Sequence, residues 1–423
     1  MPQTLFFFAR HITDFYYFCR FTRSFPMKKT YFLMLLAMAM ATLTSLPSCD
    51  SPQPIPSIDI CVDGDIPWDS KTPCSISYSD LNEQFSDEAK IKCRGGYSSA
   101  FAKHSYTFKM TQKHALAGLP LQRTFILNAN YIDKSMMHHK ICFDLFREMN
   151  PKKNLASECA YVNLSVNGEY MGLYVLMQKL NAGALGLNKK DSLALIYKDP
   201  PVFYGENRLE WVQEPGNYFQ QNYPDIEDED MNGYLENVMQ FMIHADDSTF
   251  AHEIGQHFDL ENIIDWHLLL MFTNNGDGVM KNFYLYKRNT KTPFRIAIWD
   301  YDDAFGRDGE GELKMTESLP KFERCLLLNR LEINPYLDYD TRLRQRYKEL
   351  RDSGLFSKQH IEEMIEANHR IIKNEVKRNF ELWPVDGEGY FDAYTYEEEL
   401  GVMREYLDIR IPQLDNELGY SAH

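Results

Sequence analysis

The segment from Asn274 to Gly306 carries acidic and amide side chains whose spacing indicates chemistry. Asp277 lies in a glycine-flanked loop, Asn282 follows it five residues later, and Asp300 and Asp302 come after a second apolar run. Phosphoryl transfer needs one carboxylate to accept the proton of the attacking hydroxyl, and an Asn and an Asp to hold magnesium on the phosphates. The spacing of Asp277 and Asn282 matches that of a kinase catalytic loop, which would put Asp277 in the place of the base and Asn282 and Asp300 in the places of the metal ligands. Asp302 either adds a metal oxygen or stabilises the loop.

Two strand-like runs must bring these side chains together. Residues 282–286 alternate as a strand does, residues 295–299 form a second such run, and the turn-like stretch 289–293 joins them. A hairpin returns its second strand to the end where the first begins, so the polar groups converge. Two other interpretations remain open: a hairpin whose carboxylates cap turns or face solvent, and a calcium-stabilised or metal-dependent hydrolase. The second lacks a His or Glu pair at ligand spacing.

A glycine-rich segment near the start of the globular region is a candidate phosphate-binding loop. It reads Arg94-Gly95-Gly96-Tyr97-Ser98-Ser99 and stands between two predicted strands. Backbone N–H groups of such a loop can surround a phosphate, although Gly-Gly is also common in plain hairpin turns. Lys103 and Lys109 flank and end the following strand, where a lysine can reach nucleotide phosphates. Lys109 is slightly preferred because Tyr106 and Phe108 before it alternate as a packed face.

Four ordered blocks resemble one known family. Residues 299–306, Trp-Asp-Tyr-Asp-Asp-Ala-Phe-Gly, match the W-D-x-D-x-x-[FW]-G marker of the spore-coat protein H (CotH) family of atypical kinases. Residues 94–99, 128–135 and 168–174 resemble further blocks in family order. The resemblance runs from about Ile58 to about Leu418, which we take as the predicted kinase domain, 58–418.

The resemblance has consequences for fold and activity. It implies an α+β chain with a divergent protein-kinase-like fold, in which a β-rich amino-terminal lobe precedes a helical carboxy-terminal lobe. It implies ATP with Mg²⁺ or Mn²⁺ as cofactors, and transfer of the γ-phosphoryl group to Ser or Thr of a protein substrate. Asp277 would be the base, Asn282 and Asp300 would hold the metal, and the Arg94–Ser99 loop would bind the nucleotide through Arg94, Ser98 and Ser99.

Two positions depart from the family pattern. Asp133 is expected to cap a helix from Lys134 to Met149, and near its start His138-His139 replaces the usual Arg-Asn pair. Adjacent helix residues point in different directions, so two solvated histidines are expected rather than a metal site. Gln178 replaces a usual Glu at a place expected to contact the cofactor. These changes support the alternative of a catalytically weak or inactive surface-binding or adhesion lipoprotein on a kinase-like scaffold.

The amino terminus predicts export and a lipid anchor. Residues 27–48 read as a basic, then apolar, signal peptide, and Cys49 follows where lipidation of a bacterial lipoprotein occurs. Residues 1–26 fit neither a signal nor a domain and are interpreted as an upstream extension, with initiation at Met27. Residues 49–57 are a Ser- and Pro-rich tether. The expected location is the cell envelope, anchored to a membrane by lipid.

The net charge and the cysteines of the chain limit the binding partners and the disulfides that can be expected. The formal net charge is −16, with 45 basic and 61 acidic residues, which argues against a nucleic-acid partner and favours a protein substrate or surface partner. An exported chain can form disulfides, and Cys61 with Cys74 is the nearest candidate pair. Cys142 and Cys325 stand in apolar helix-like runs and are expected to be buried thiols.

Overall fold

The computed structural model describes residues 54–204, 217–307, 313–315, 318–386 and 392–421. The predicted extension 1–26, the signal peptide 27–48, the lipidation site Cys49 and most of the tether lie outside these residues. Within them, strands and helices both occur, so the predicted α+β class is confirmed.

Twelve strands form two sheets in the described part of the chain. In order they are β1 (Ser57–Val62), β2 (Thr72–Ser79), β3 (Gln84–Arg94), β4 (Ser105–His114), β5 (Gln122–Asn128), β6 (Leu155–Ala156), β7 (Cys159–Val166), β8 (Glu169–Gln178), β9 (Leu195–Lys198), β10 (Gln221–Tyr223), β11 (Phe283–Lys287) and β12 (Arg295–Ile298).

The first sheet is a closed barrel in the order β1-β2-β3-β4-β5-β8-β7. Its closing contact is parallel, with Ser57 of β1 opposite Asn163 of β7, whereas the other neighbours are antiparallel. Alternate residues such as Ile60, Phe108 and Phe125 fill the interior and are fully buried. The prediction of a protein-kinase-like fold with a β-rich amino-terminal lobe is therefore wrong. Strand alternation was correctly predicted, but it does not reveal that the first strand closes the sheet.

The second sheet has the order β10-β9-β11-β12-β6. The predicted hairpin is confirmed as β11 and β12, which pair antiparallel from Phe283 opposite Ile298 to Tyr286 opposite Arg295. All residues of β11 are buried. The hairpin is therefore a rigid central element from which the adjoining loops emerge.

Nine α-helices occur in the described part of the chain. They are α1 (His138–Met149), α2 (Asn232–His244), α3 (Asp247–His257), α4 (Leu260–Thr273), α5 (Leu326–Ile333), α6 (Tyr339–Asp352), α7 (Lys358–Ile372), α8 (Val376–Leu382) and α9 (Tyr396–Glu417).

Two helix ends position functional loops. α4 is buried from Asn262 to Thr273 and ends where Asn274 adopts a left-handed φ of 55°, which turns the chain into the Asp277 loop. α1 begins at His138 rather than at Lys134 as predicted. The carboxylate of Asp133 nevertheless accepts a hydrogen bond from the His138 N–H at 3.1 Å, so it caps the helix from five residues away.

The six cysteines of the described residues are free thiols. The candidate bridge between Cys61 and Cys74 is not formed, because Cys61 is exposed whereas Cys74 faces the barrel interior. Cys142 and Cys325 are fully buried, as predicted.

Candidate active site

A cavity of about 350 Å³ lies where the glycine-rich loop, the start of α1 and the loop after β12 meet. Ser98 comes from the first of these elements, His139 from the second, and Asp300 and Asp302 from the third. Lys281, just before β11, also lines the cavity. The barrel and the second sheet thus each contribute polar groups to one enclosed space.

Three side chains in this cavity form a cluster with metal-ligand character. One ligand atom from each of His139, Asp300 and Asp302 lies within 4.8 Å of the others. Asp300 has a φ of 57°, a backbone conformation that is uncommon for a residue with a side chain. Burial and the neighbouring charge of Asp300 raise the pKa of Asp302 to about 6. The two carboxylates therefore repel each other, which a bound cation would reverse.

The hydrogen bond that His139 accepts shows which of its ring nitrogens carries the proton in the neutral form. The Tyr301 N–H donates to His139 Nδ1 at 2.9 Å, so in the neutral ring the proton is on Nε2. That nitrogen faces Asp300 Oδ1 at 3.6 Å, which is longer than a hydrogen bond. In this tautomer His139 offers Asp300 a proton rather than offering a metal a lone pair. The site then has two carboxylate ligands and one imidazole that orients one of them.

The prediction of two solvated histidines is wrong. His138 and His139 are 1% and 4% exposed. His138 Nδ1 lies 2.8 Å from Asp133 Oδ1, and although burial opposes it, the charge of Asp133 raises the pKa of His138. His138 lies against Asp133 and Glu399 of α9, and His139 lies against the loop after β12, so two adjacent directions on the helix are both buried. Sequence periodicity alone does not show that a helix is covered on more than one side.

Asp277 lies beside the cavity. It begins a short 3₁₀ turn from Asp277 to Val279, its side chain is 50% exposed, and Lys281 Nζ lies 2.8 Å from its Oδ2. Burial opposes the shift, but Asp277, and to a lesser degree Asp300, raise the pKa of Lys281. Lys281 therefore links the predicted base with the metal-type carboxylate. Sequence reasoning missed this residue, although it stands directly before the Asn of the D-x-x-x-x-N spacing.

Asn282 is placed differently from the acidic cluster. Its φ is 66°, and its backbone carbonyl accepts a hydrogen bond from the Trp299 N–H at 2.9 Å. Its side chain is not part of the cavity lining, whereas the preceding Lys281 is. The residue thus joins the ends of β11 and β12, and it does not line the cavity that holds Asp300 and Asp302.

The two predicted phosphate lysines occupy different places. Lys103 lines the Asp300 cavity and is 1% exposed, and its Nζ donates to Ala129 O at 2.8 Å, Leu173 O at 2.5 Å and Asn379 Oδ1 at 3.0 Å. An ammonium has three N–H donors, so all are engaged. Burial lowers the pKa of Lys103. Lys109 is exposed and lines a separate, larger cavity.

The glycine-rich loop forms one edge of the Asp300 cavity. Ser98 lines this cavity, whereas the Ser99 hydroxyl donates to Gly96 O at 2.7 Å within the loop. Arg94, at the end of β3, places its guanidinium 5.4 Å from the centre of the Trp299 ring. This contact connects the loop to the residue preceding Asp300.

Gln178 lies at the end of β8 and lines the larger cavity, not the one that holds Asp300. It is 9% exposed, and its backbone N–H donates to Glu158 O at 2.9 Å. The absence of a carboxylate at Gln178 therefore leaves the charge of the Asp300 cavity unchanged.

Comparison with known proteins supports the resemblance seen in the sequence. The family model described as CotH kinase protein matches residues 91–412. This chain belongs to the CotH kinase family. A curated relative, Inner spore coat protein H of Bacillus subtilis (strain 168), is 27% identical over 336 residues, covering 78% of this chain and 86% of that protein. Membership indicates a kinase-like function for the CotH-family protein described here.

In the residues that the structure describes, no helix is both long enough and apolar enough to cross a membrane.

Proposed function

We propose that this CotH-family protein is an ATP-dependent protein kinase that transfers the γ-phosphoryl group to a Ser or Thr hydroxyl of a protein at the cell envelope. The observation that carries the proposal is the cluster of Asp300, Asp302 and His139 in one cavity with the glycine-rich loop. Phosphoryl transfer needs a cation on the phosphates, a loop near them and a base beside the acceptor hydroxyl. The cavity brings candidates for the first two roles together, and the candidate base Asp277 lies beside it, in contact with Lys281.

The residues fit a divalent cation. Asp300 and Asp302 offer carboxylate oxygens, which Mg²⁺ and Mn²⁺ prefer. Burial, and after it the charge of Asp300, raise the pKa of Asp302, so a cation between the two carboxylates would stabilise their charged forms. When bound, a divalent cation would neutralise charge on the phosphoryl oxygens. Shortening of the 3.6 Å separation between His139 Nε2 and Asp300 Oδ1 on metal binding would let the Nε2 proton orient Asp300.

Asp277 and Lys281 are suited to the transfer itself. Asp277 would accept the proton as the hydroxyl oxygen of the substrate forms a bond to the γ-phosphorus. The bond from that phosphorus to the β–γ bridging oxygen breaks, and ADP leaves with the bonding electrons. Lys281 would exchange its half-exposed contact with Asp277 for the γ-phosphate, because an exposed ion pair contributes about 1 kcal/mol or less. Lys103 has its donors engaged and would position the cavity wall.

The alternative of an inactive surface-binding lipoprotein was supported by Gln178, the histidine pair and the predicted export signal. Gln178 lies outside the Asp300 cavity, so its missing charge does not weaken that cluster. His139 lies inside it and adds a polar contact to Asp300. Neither departure removes a carboxylate from the candidate site, and we therefore favour the kinase.

The binding test is thermal melting with and without Mg-ATP. A ligand at 100 times its dissociation constant stabilises the folded state by about 2.7 kcal/mol. Wild type should be stabilised, Asp300→Ala should not, and Asp340→Ala on exposed α6 should respond as wild type does. If wild type and Asp300→Ala respond equally, this cavity does not hold the nucleotide and metal.

The transfer test uses ATP labelled at the γ-phosphate. Wild type should label Ser or Thr of envelope proteins, and Asp277→Asn should keep Mg-ATP stabilisation while losing at least about 100-fold in rate, the typical contribution of a general base. Nucleotide binding without any protein labelling would favour the surface-binding alternative.

We also propose a lipid anchor on Cys49, which the signal-like stretch 27–48 supports. Acyl chains add about 0.8 kcal/mol for each buried CH₂ group, so a multiply acylated cysteine holds a protein on a membrane. Wild type should sediment with membranes, whereas Cys49→Ala should not. Equal sedimentation of the two proteins would refute the anchor.

A further inference from the structure

A second cavity, of about 740 Å³, lies between the barrel and the second sheet. The barrel contributes Lys109 of β4 and Gln122 of β5, and the segment after β8 contributes Lys179. None of the Asp300 cluster lines it. Its volume is within the range of about 300–1,000 Å³ that is usual for small-molecule sites.

The lining of this cavity is strongly basic, although the whole chain carries a net charge of −16. One carboxylate, Glu158, stands against six cationic side chains: Lys109, Lys113, Arg123, Arg147, Lys179 and Lys189. Arg147 is already engaged with Asp144 and with Ser157 O. Across the described ranges, no carboxylate forms an ion pair with Lys109 or Lys179. The cavity therefore holds positive charge that the protein itself does not neutralise.

Lys179 adds to this charge. Its side chain is partly buried, and burial, together with the charges of Lys71, Arg94, Lys92 and Lys109, lowers its pKa; of these four cations, Lys109 also lines the cavity. Like charges gathered in a partly desolvated place repel each other and favour binding of an anion. Phosphate groups are the natural partner of clustered lysines.

Gln122 adds a second, independent observation. It is 8% exposed, and within the part of the chain that the structure describes neither its amide oxygen nor its amide nitrogen has a hydrogen-bond partner. Buried amides are nearly always paired, because an unpaired one destabilises the folded state. Both amide atoms are buried out of contact with solvent, so the Gln122 side chain must turn toward the cavity to meet a ligand. The edge of a nucleobase, with an adjacent donor and acceptor, would then satisfy both atoms.

We propose that this cavity binds a phosphate-bearing small molecule without a divalent metal. Lys109 and Lys179 contact the phosphates, and the Gln122 amide turns into the cavity to pair with the polar edge of the ligand. The site is separate from the Asp300 cavity: Ser105 lines that cavity and Lys109 lines this one, four residues or about 13 Å further along β4. Two kinds of ligand could supply these phosphate groups: a nucleotide and a free oligophosphate.

The experiment measures binding of ADP and of inorganic pyrophosphate to the full chain by calorimetry in EDTA. Wild type and Asp300→Ala should bind alike. Lys179→Ala should bind about tenfold or more weakly, because one charge-assisted contact is lost. Lys377→Ala removes a lysine that is 84% exposed on α8 and should bind as wild type does.

A third variant separates the two sources. Gln122→Leu should weaken ADP and leave pyrophosphate unchanged if the ligand is a nucleotide, and should leave both unchanged if it is an oligophosphate. Unliganded melting at the wild-type temperature shows that each variant is folded, and Lys179→Gln replaces Lys179→Ala if the latter is not.

Three outcomes overturn the proposal: no binding by wild type in EDTA, equal binding by the Lys179 variant, or loss of binding in Asp300→Ala. The last would assign the ligand to the Asp300 cavity. Because the assay contains no metal, this proposal and the kinase proposal fail independently.

Discussion

Replacing Lys103 with Met tests whether this buried lysine stabilises the fold or binds phosphate. Its ammonium donates to the carbonyls of Ala129 and Leu173 in the barrel and to Asn379 of α8. A Met side chain fills a similar volume but donates no hydrogen bond. Each buried acceptor left without a partner destabilises the fold by about 1–3 kcal/mol. Asn379 Oδ1 keeps the Leu173 N–H at 3.1 Å, so two acceptors carry most of the loss.

Part of that loss is offset, because the Met variant no longer buries an ammonium. We therefore expect Lys103→Met to lower the free energy of unfolding by about 3 kcal/mol, within the range of about 2–6 that two orphaned acceptors imply. Urea unfolding measures this as a lower midpoint at unchanged slope. Lys109→Met, the same substitution at an exposed position of β4, should stay within about 0.5 kcal/mol of wild type.

The difference in the free energy of unfolding between wild type and Lys103→Met should also depend on pH. Burial lowers the pKa of Lys103 below 10.5, so the unfolded chain binds more protons than the folded chain in the interval between the two values. The stability of wild type relative to Lys103→Met therefore rises as pH increases toward 10.5 and is lost as pH falls through the folded value. Equal urea midpoints for wild type and Lys103→Met would refute this reasoning. If the variant were also unable to bind Mg-ATP, Lys103 would be a phosphate contact after all.

Three further outcomes follow from local geometry. Gly172→Ala should destabilise by about 1–3 kcal/mol more than Gly168→Ala in thermal melts: both have positive φ, but a Cβ at Gly172 would lie 2.6 Å from Asn379 Oδ1, while open space surrounds Gly168. Arg346→Ala should destabilise by about 3–5 kcal/mol at neutral pH, because it leaves the buried Asp265 without its cation. Burial already raises the pKa of Asp265, so this defect should shrink as pH falls toward 3.8 and the carboxyl protonates, as unfolding at several pH values would show. Native alkylation read by mass spectrometry should modify Cys61 at least about tenfold faster than Cys142, which is buried and protonated. Equal labelling of those two thiols would contradict the burial described above.

Local patterns in the sequence were sufficient for the central hairpin. Alternation in residues 282–286 and 295–299, with a turn between them, predicts β11 and β12 because both the pattern and the turn are short-range. The acidic loop after β12 was found for the same reason. Long-range pairing was not visible: closure of the barrel depends on β1 meeting β7 about a hundred residues later, and no local signal reports that contact.

The site was partly predictable by similar reasoning. Asp300 and Asp302 follow a recognisable strand, so their convergence could be expected. The role of His139 could not, because it depends on α1 being covered on both sides. Lys281 was missed because its importance comes from lining the cavity between Asp277 and Asp300. Lys109 was preferred to Lys103 on strand alternation, which reports burial and not the cavity that a side chain reaches.

Closure of the barrel also limits how a protein substrate can be recognised. An open sheet presents unpaired backbone groups at its edge, to which an extended peptide can add as another strand. In the described structure every barrel strand has neighbours on both sides, and the second sheet ends in β10 and β6, which have three and two residues. Edges this short offer few backbone partners. We therefore propose that a protein substrate of this kinase would be selected by side chains and surface charge around the cavities, without a preference for sequences of high strand propensity.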